Sequence, residues 1–117
     1  MLTYGVKYIQ GNPVQEVRVV GHTDCGGVKA CHDEVKGHSR IPPELREWLR
    51  PLLELAHQHA GRSALELTEE NVRTQVWNVR KVLNDLGFES VGVKGFVYHV
   101  EERELREVPV LTPINAA

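Results

Sequence analysis

Two runs of β-branched residues, separated by a long stretch of helical patterns, constrain the fold of this chain most strongly. Residues 16–20 and 91–100 have the composition of β-strands, whereas the residues between them carry apolar side chains at helical spacing. A strand joined to the next strand through helices forms a crossover, and a crossover places the two strands parallel in one sheet. The sequence therefore predicts an α/β fold with a small, mostly parallel sheet and flanking helices.

Four helical segments share apolar residues at spacings of three and four, and they are residues 2–10, 28–35, 45–56 and 69–86. Pro51 must kink the third segment or start a new helix there, because proline lacks the N–H group that a helix interior needs. Thr68 is the predicted N-cap of the fourth segment, and Gly87 ends it. Residues 105–110 are predicted to return as a final strand.

Composition and charge exclude several classes of protein. The 117 residues predict a single domain over 1–117, and 41% hydrophobic residues suffice for its core. A net charge of -2 argues against binding to nucleic acid or to a membrane surface, since both kinds of binding need clustered basic residues. No apolar run approaches the ~20 residues of a membrane span. The two cysteines do not make a disulfide framework, so we expect a cytoplasmic protein.

The turn after the first strand carries the candidate chemistry. His22 and Cys25 are an imidazole and a thiol three positions apart, at the carboxyl end of a strand, where open α/β sheets bind ligands. Zinc accepts both ligand types in tetrahedral sites. Gly26 and Gly27 allow close backbone approach, and their amides are candidates to bind an anion or orient the thiolate. Asp24 is either a second-shell partner of the metal site or a plain surface carboxylate.

Cys31 and His32 form a second pair nearby and leave two interpretations open. Cys31 is a candidate additional metal ligand, and a purely structural zinc site could be closed by His22, Cys25, Cys31 and His32. Alternatively, the second pair lies on the helix after the turn and faces core and solvent, since six or seven helical positions span about 9–10 Å.

Three segments, in the same order, resemble the β-class carbonic anhydrase family. Residues 19–28 look like its second zinc motif, His-x-x-Cys followed by two glycines. Residues 71–80 resemble its long helix. Residues 93–98, followed by Leu105-Arg106, resemble its late strand and hairpin. Together these segments extend over most of the chain.

The resemblance implies a function and a cofactor. It implies zinc ligation by His22 and Cys25. It also implies reversible hydration of carbon dioxide to bicarbonate by zinc-bound hydroxide, which is a carbonate dehydratase activity. A homo-oligomer, a dimer or larger, with the sheet extended across subunits, is implied as well.

One departure from the family pattern bears on activity. The first family motif, Cys-x-Asp-Ser-Arg, would lie upstream of His22, but the 21 residues there contain neither Cys nor Asp. The chain thus resembles a short form that lacks the first strand region. The third ligand would be Cys31, a residue of another chain, or water. The alternative function is a catalytically impaired or inactive relative that binds zinc for structure or assembly.

Overall fold

The computed structural model describes residues 15–110, which form three strands and three helices. The elements follow in the order β1 (Glu16–His22), α1 (Gly26–Val35), α2 (Pro43–Gln58), α3 (Ala64–Asp85), β2 (Gly92–His99) and β3 (Glu104–Val108). β1 pairs parallel to β2, and β2 pairs antiparallel to β3. The α/β fold and its crossover are confirmed, but the sheet is mixed, because β3 returns from β2 as a hairpin. The helix predicted over residues 2–10 lies outside the described residues.

Helix α3 connects two separate cores. Toward its C-terminal end it packs on the sheet, where Val72, Val76 and Leu83 are buried against the strands. Near its N-terminus Leu67 joins a second core built with α1 and α2. At 22 residues, α3 is about 33 Å long, so it can span both cores. None of the three helices in residues 15–110 combines the length and the hydrophobicity that a membrane span requires.

Two glycines allow α3 to approach the sheet closely. A Cβ atom at Gly21 would lie 2.8 Å from Val72 Cγ2, and one at Gly95 would lie 2.6 Å from Val72 Cγ1. The sequence suggested that β1 ends at Gly21, but the strand continues through His22. Gly21 is therefore a packing position inside the strand rather than the start of a turn, because the side chain of Val72 occupies the space beside it.

The opposite face of the sheet has no helix over it in residues 15–110, since only α3 lies beside the strands. Side chains alternate between the two faces of a strand, so Val20, Tyr98 and Leu105 share this open face. They are 54%, 37% and 45% exposed. Arg18 lies over the Phe96 ring, 5.1 Å from its centroid, and covers part of the surface.

The predicted start of the last helix is wrong. Helix α3 begins five residues before Thr68, at the N-cap Ser63. Ser63 Oγ accepts the Glu66 N–H at 3.1 Å, and the Glu66 carboxylate accepts the Ser63 N–H at 3.0 Å. This reciprocal pair is a capping box, which satisfies two backbone donors at once. Thr68 lies inside the helix, buried, and donates its hydroxyl to the Ala64 carbonyl oxygen.

Pro51 does not start a new helix, because α2 is assigned without a break from Pro43 to Gln58. A proline inside a helix removes the bond to the carbonyl four residues earlier, here that of Glu47. Both Pro51 and Glu47 are exposed residues. Water can therefore serve the carbonyl oxygen that has lost its helical partner.

Glu34 joins α1 to α2. Its carboxylate accepts hydrogen bonds from Arg46, at 2.6 and 2.9 Å, and from the Ile41 N–H at 2.8 Å. The bonded Arg46 guanidinium and the Ile41 amide hold the pKa of the Glu34 carboxyl below its ordinary value. The loop between the two helices is thereby tied to both of them.

We expect Gly95→Ala to lower the free energy of unfolding by about 1–3 kcal/mol, because the new methyl group overpacks a filled interface. The Cβ atom would lie 2.6 Å from Val72 Cγ1 and 3.0 Å from Val76 Cγ2. Gly26→Ala is the matched control, since nothing lies within 4 Å of its added Cβ. Urea unfolding monitored by circular dichroism measures the difference. Equal stability of the two variants would contradict the close packing at Gly95.

Candidate metal centre

His22 and Cys25 lie at the two ends of one short turn. His22 is the last residue of β1, and Cys25 is the N-cap of α1. Between them, Asp24 has a φ of 58°, a left-handed conformation that Asp tolerates better than most residues. This one residue redirects the chain from the strand into the helix. The turn lies at the carboxyl end of the parallel strands, where such sheets bind ligands.

The His22 ring has one nitrogen committed to the backbone. Its Nδ1 lies 2.8 Å from the Thr23 carbonyl oxygen. A carbonyl can only accept a hydrogen bond, so Nδ1 carries the proton and donates it. In the neutral ring, Nε2 then keeps a free lone pair. Histidines that bind metals through one nitrogen usually donate the other N–H in this way. His22, an exposed residue, therefore fits a metal ligand.

Cys25 offers its sulfur from the first turn of a helix. Its side chain makes no capping hydrogen bond, so the sulfur is not committed to the helix backbone. The N-terminal end of a helix carries partial positive charge, which favours a negatively charged ligand atom at this position. The thiol is half-buried against the core formed by α1 and α2. Its position and chemistry suit a thiolate ligand.

An open cleft of about 380 Å³ lies beside Cys25, between α1 and the beginning of α3. Its walls are formed by Thr23, Asp24, Cys25, Val28, Lys29, His32, Asp33, Ala64, Leu65 and Thr68. His22 is not part of this lining. The cleft is thus reached from the thiol end of the turn rather than from the imidazole end.

Cys31 lies in the core, fully buried among the side chains that join α1, α2 and α3. Burial raises the pKa of its thiol, and the nearby Glu34 and Cys25 raise it further. The thiolate form that binds metals is therefore disfavoured there. The use of Cys31 as an additional ligand stays a prediction.

His32 does not join the other donors in a four-ligand site. Its Nε2 lies 2.9 Å from the Arg62 carbonyl oxygen, which ties α1 to the loop before α3. Residues 15–110 contain no group of three or more His, Cys, Asp or Glu side chains placed to hold a metal ion. Within that part of the chain, the structural zinc site of His22, Cys25, Cys31 and His32 is not assembled.

The two glycines after Cys25 differ in their surroundings. Nothing lies within 4 Å of a Cβ atom built at Gly26, whereas one at Gly27 would lie 3.4 Å from Leu49 Cδ2. Position 27 therefore faces α2 at ordinary van der Waals distance, whereas position 26 faces open space. Gly26 and Asp24 are both exposed at the turn. Their predicted roles in the second shell or in anion binding remain predictions.

The structure adds polar residues to the site that the sequence interpretation missed. Lys29 and Asp33 line the cleft from α1, Thr68 lines it from α3, and Thr23 lies in the turn itself. Cys25, Lys29 and Asp33 follow one another at intervals of four, which places them on one face of a helix. That spacing is the signal in the sequence from which Lys29 and Asp33 could have been identified. The contribution of α3 depends on a long-range contact, for which the sequence carries no local signal.

Comparisons with known proteins identify relatives of this chain. A family model described as carbonic anhydrase matches residues 1–105. The structure of the β-carbonic anhydrase CafA of Aspergillus fumigatus matches with a TM-score of 0.75 and 27% identity, over 98% of this chain and 57% of that chain. One of two tetrameric β-carbonic anhydrases from Sordaria macrospora matches at 0.66 with 20% identity, over 92% and 57%. A search of curated protein sequences gave no match.

The second of these matches shows similarity of fold alone, because its identity to this chain is low. In both comparisons the chain spans 57% of the length of the solved relative. The equivalence of fold therefore covers nearly all of this chain, but only a part of each relative.

The left-handed conformation of Asp24 can be tested apart from its charge. We expect Asp24→Asn to keep the free energy of unfolding, because Asn also tolerates positive φ. Asp24→Val should lower it by about 1–2 kcal/mol, since Cβ crowds the backbone in this conformation. Urea unfolding of both variants measures the difference. If Asn destabilises as much as Val, the carboxylate rather than the backbone conformation holds the turn.

Proposed function

The chain belongs to the β-class carbonic anhydrase family, and on this premise we propose that it binds zinc through His22 and Cys25 and serves the reversible hydration of carbon dioxide to bicarbonate. One observation carries the proposal. His22 Nδ1 is bonded to the Thr23 carbonyl oxygen, which leaves Nε2 free to bind a metal. The family motif that begins at His22 ends at a second donor, Cys25. The match of the family model over residues 1–105 supports it.

The two donors fit half of a zinc site. Zinc in proteins is almost always tetrahedral, with three or four protein ligands and, in catalytic sites, a water. Residues 15–110 supply His22 and Cys25 and no third donor beside them. The proposal therefore requires that the remaining ligands come from other residues of this chain, from a second chain, or from water.

Bound zinc would lower the pKa of water toward neutrality and so supply a hydroxide nucleophile at neutral pH. The residues of this chain would hold the ion and make room for the substrate. His22 and Cys25 hold the ion at the end of β1. The cleft beside Cys25 measures about 380 Å³, many times the ~30 Å³ share of one water molecule, so small substrates have ample room. Lys29 in its wall offers a positive charge to bicarbonate.

We also propose that the chain acts as a homo-oligomer, a dimer or larger. The open face of the sheet exposes Val20, Tyr98 and Leu105, and a partner subunit would remove this apolar surface from water. The same association could supply donors to the incomplete metal site. The Sordaria macrospora relatives are described as tetrameric, which supports the proposal.

The absence of a third donor among residues 15–110 favours a second candidate function. In it, the chain keeps the scaffold and binds zinc for structure or assembly, with little or no hydration activity. Both candidates require His22 and Cys25 as ligands, so zinc binding and activity need separate measurements.

Zinc content is expected to depend on one cysteine and not on the other. After dialysis against zinc, Cys25→Ser should lose most of the bound metal, whereas Cys31→Ala should keep it, because Cys31 is enclosed in the core. Elemental analysis per subunit measures this. A chelator should also lower the melting temperature of the unsubstituted protein, because metal stabilises the folded state by mass action. Retention of zinc by Cys25→Ser would contradict the assignment.

Hydration of carbon dioxide by the zinc-loaded protein separates the two candidate functions. Stopped-flow measurement with a pH indicator should show a rate above that of buffer, and Cys25→Ser should return it to background. The Lys81→Ala variant is the control, since Lys81 is exposed on α3 and lies neither in the turn nor in the cleft wall. A zinc-loaded protein that is no faster than buffer would contradict the enzymatic function and leave the structural one.

A further inference from the structure

The parallel ladder between β1 and β2 is altered at its last step. His22 lies opposite Tyr98, and the Thr23 N–H donates to the Tyr98 carbonyl oxygen at 3.0 Å, one residue beyond the end of β1. In a regular parallel ladder, the next bond would run from the Val100 N–H to the Thr23 carbonyl oxygen. Instead, the Val100 N–H donates to the Thr23 hydroxyl Oγ1 at 2.9 Å.

This change of acceptor leaves the Thr23 carbonyl oxygen for a different donor. That oxygen accepts a hydrogen bond from His22 Nδ1 at 2.8 Å. The hydroxyl of Thr23 thus takes the place that its own carbonyl would hold in the ladder, while the carbonyl serves the imidazole. All three hydrogen-bonding groups of Thr23 are engaged. Its N–H bonds to Tyr98, its hydroxyl to Val100 just beyond β2, and its carbonyl to His22.

We propose that Thr23 is a positioning residue for metal binding: its hydroxyl replaces its carbonyl in the ladder, so that the carbonyl holds His22 with Nδ1 protonated and Nε2 free. This inference deepens the proposed function and rests on it for the identity of the metal. The assignment concerns the Thr23 side chain, whereas the metal ligands are His22 and Cys25.

The physical reason is competition for one acceptor. A carbonyl oxygen can accept two hydrogen bonds, but only from donors in suitable directions. Without the hydroxyl, the Val100 N–H would take the Thr23 carbonyl oxygen as in a regular ladder, and the carbonyl would turn toward β2 and away from His22 Nδ1. A weakened bond to Nδ1 frees the ring to rotate and to place its proton on Nε2, the nitrogen that must be unprotonated to bind a metal. Loss of such a partner beside a metal-binding histidine typically costs about 10–100-fold in metal affinity.

The test compares three variants of the full chain. Thr23→Val keeps the β-branched shape and removes the hydroxyl, and we expect it to weaken zinc binding by about 10–100-fold in competition with a chromogenic chelator. Thr23→Ser keeps the hydroxyl and should restore binding to near the original value. Thr74→Val is the control, because Thr74 lies in α3 and does not line the cleft. Unchanged zinc affinity in Thr23→Val would overturn the proposal.

A second measurement needs no metal. In the metal-free, unsubstituted protein at about pH 8.5, well above the ordinary imidazole pKa of about 6.5, nitrogen-15 NMR reports which ring nitrogen of His22 carries the proton. We expect Nδ1, and in Thr23→Val a shift of population toward Nε2. A proton on Nε2 in the unsubstituted protein would overturn the proposal. If that protein binds no zinc, the proposed function fails, and the ring assignment still decides the role of Thr23.

Discussion

The close packing of Val72 against two glycines holds helix α3 and the two parallel strands in one arrangement. The methyl groups of Val72 fill the space beside Gly21 of β1 and Gly95 of β2, so α3 lies directly against both parallel strands. Interiors are packed too densely for such a contact to slide, so it sets the positions of the helix and strands together. Because His22 follows Gly21 directly, this packing also anchors the first proposed metal ligand to the core.

The second donor is anchored differently. Cys25 begins α1, whose buried side chains belong to the core shared with α2 rather than to the core under the sheet. An ion held by both His22 and Cys25 would therefore link the end of the sheet to the helical core. Only Thr23 and Asp24 separate the two donors, and both are constrained, one by hydrogen bonds and the other by its backbone conformation.

Two features of the described residues are incomplete, and further polypeptide packed against them would complete both. The open face of the sheet leaves apolar side chains such as Val20 and Leu105 in water, and the turn supplies only two of the four ligands that the proposed zinc ion would need. Additional polypeptide packed there could cover the apolar side chains and supply the missing ligands. The relatives of known structure are longer than this chain, and an oligomer offers the same possibility.

Residue spacing and short-range turn chemistry were enough to predict three features from the sequence alone: the crossover from β1 to β2, the stripe of Val72, Val76 and Leu83 on α3, and the turn that carries His22 and Cys25. It also contains the capping box of α3 at Ser63 and Glu66, whereas Thr68, the predicted N-cap, is buried inside the helix.

The roles of Gly21 and Thr23 become visible only in the folded chain, because both depend on residues far away in the sequence. Gly21 pairs with Val97 in the parallel ladder, and Val72, fifty-one positions later in the sequence, fills the space that a side chain at position 21 would need. The hydroxyl of Thr23 enters the ladder because Val100, 77 positions away, arrives beside it. Periodicity reports on neighbours a few residues apart, so contacts between such distant segments appear only once the chain has folded.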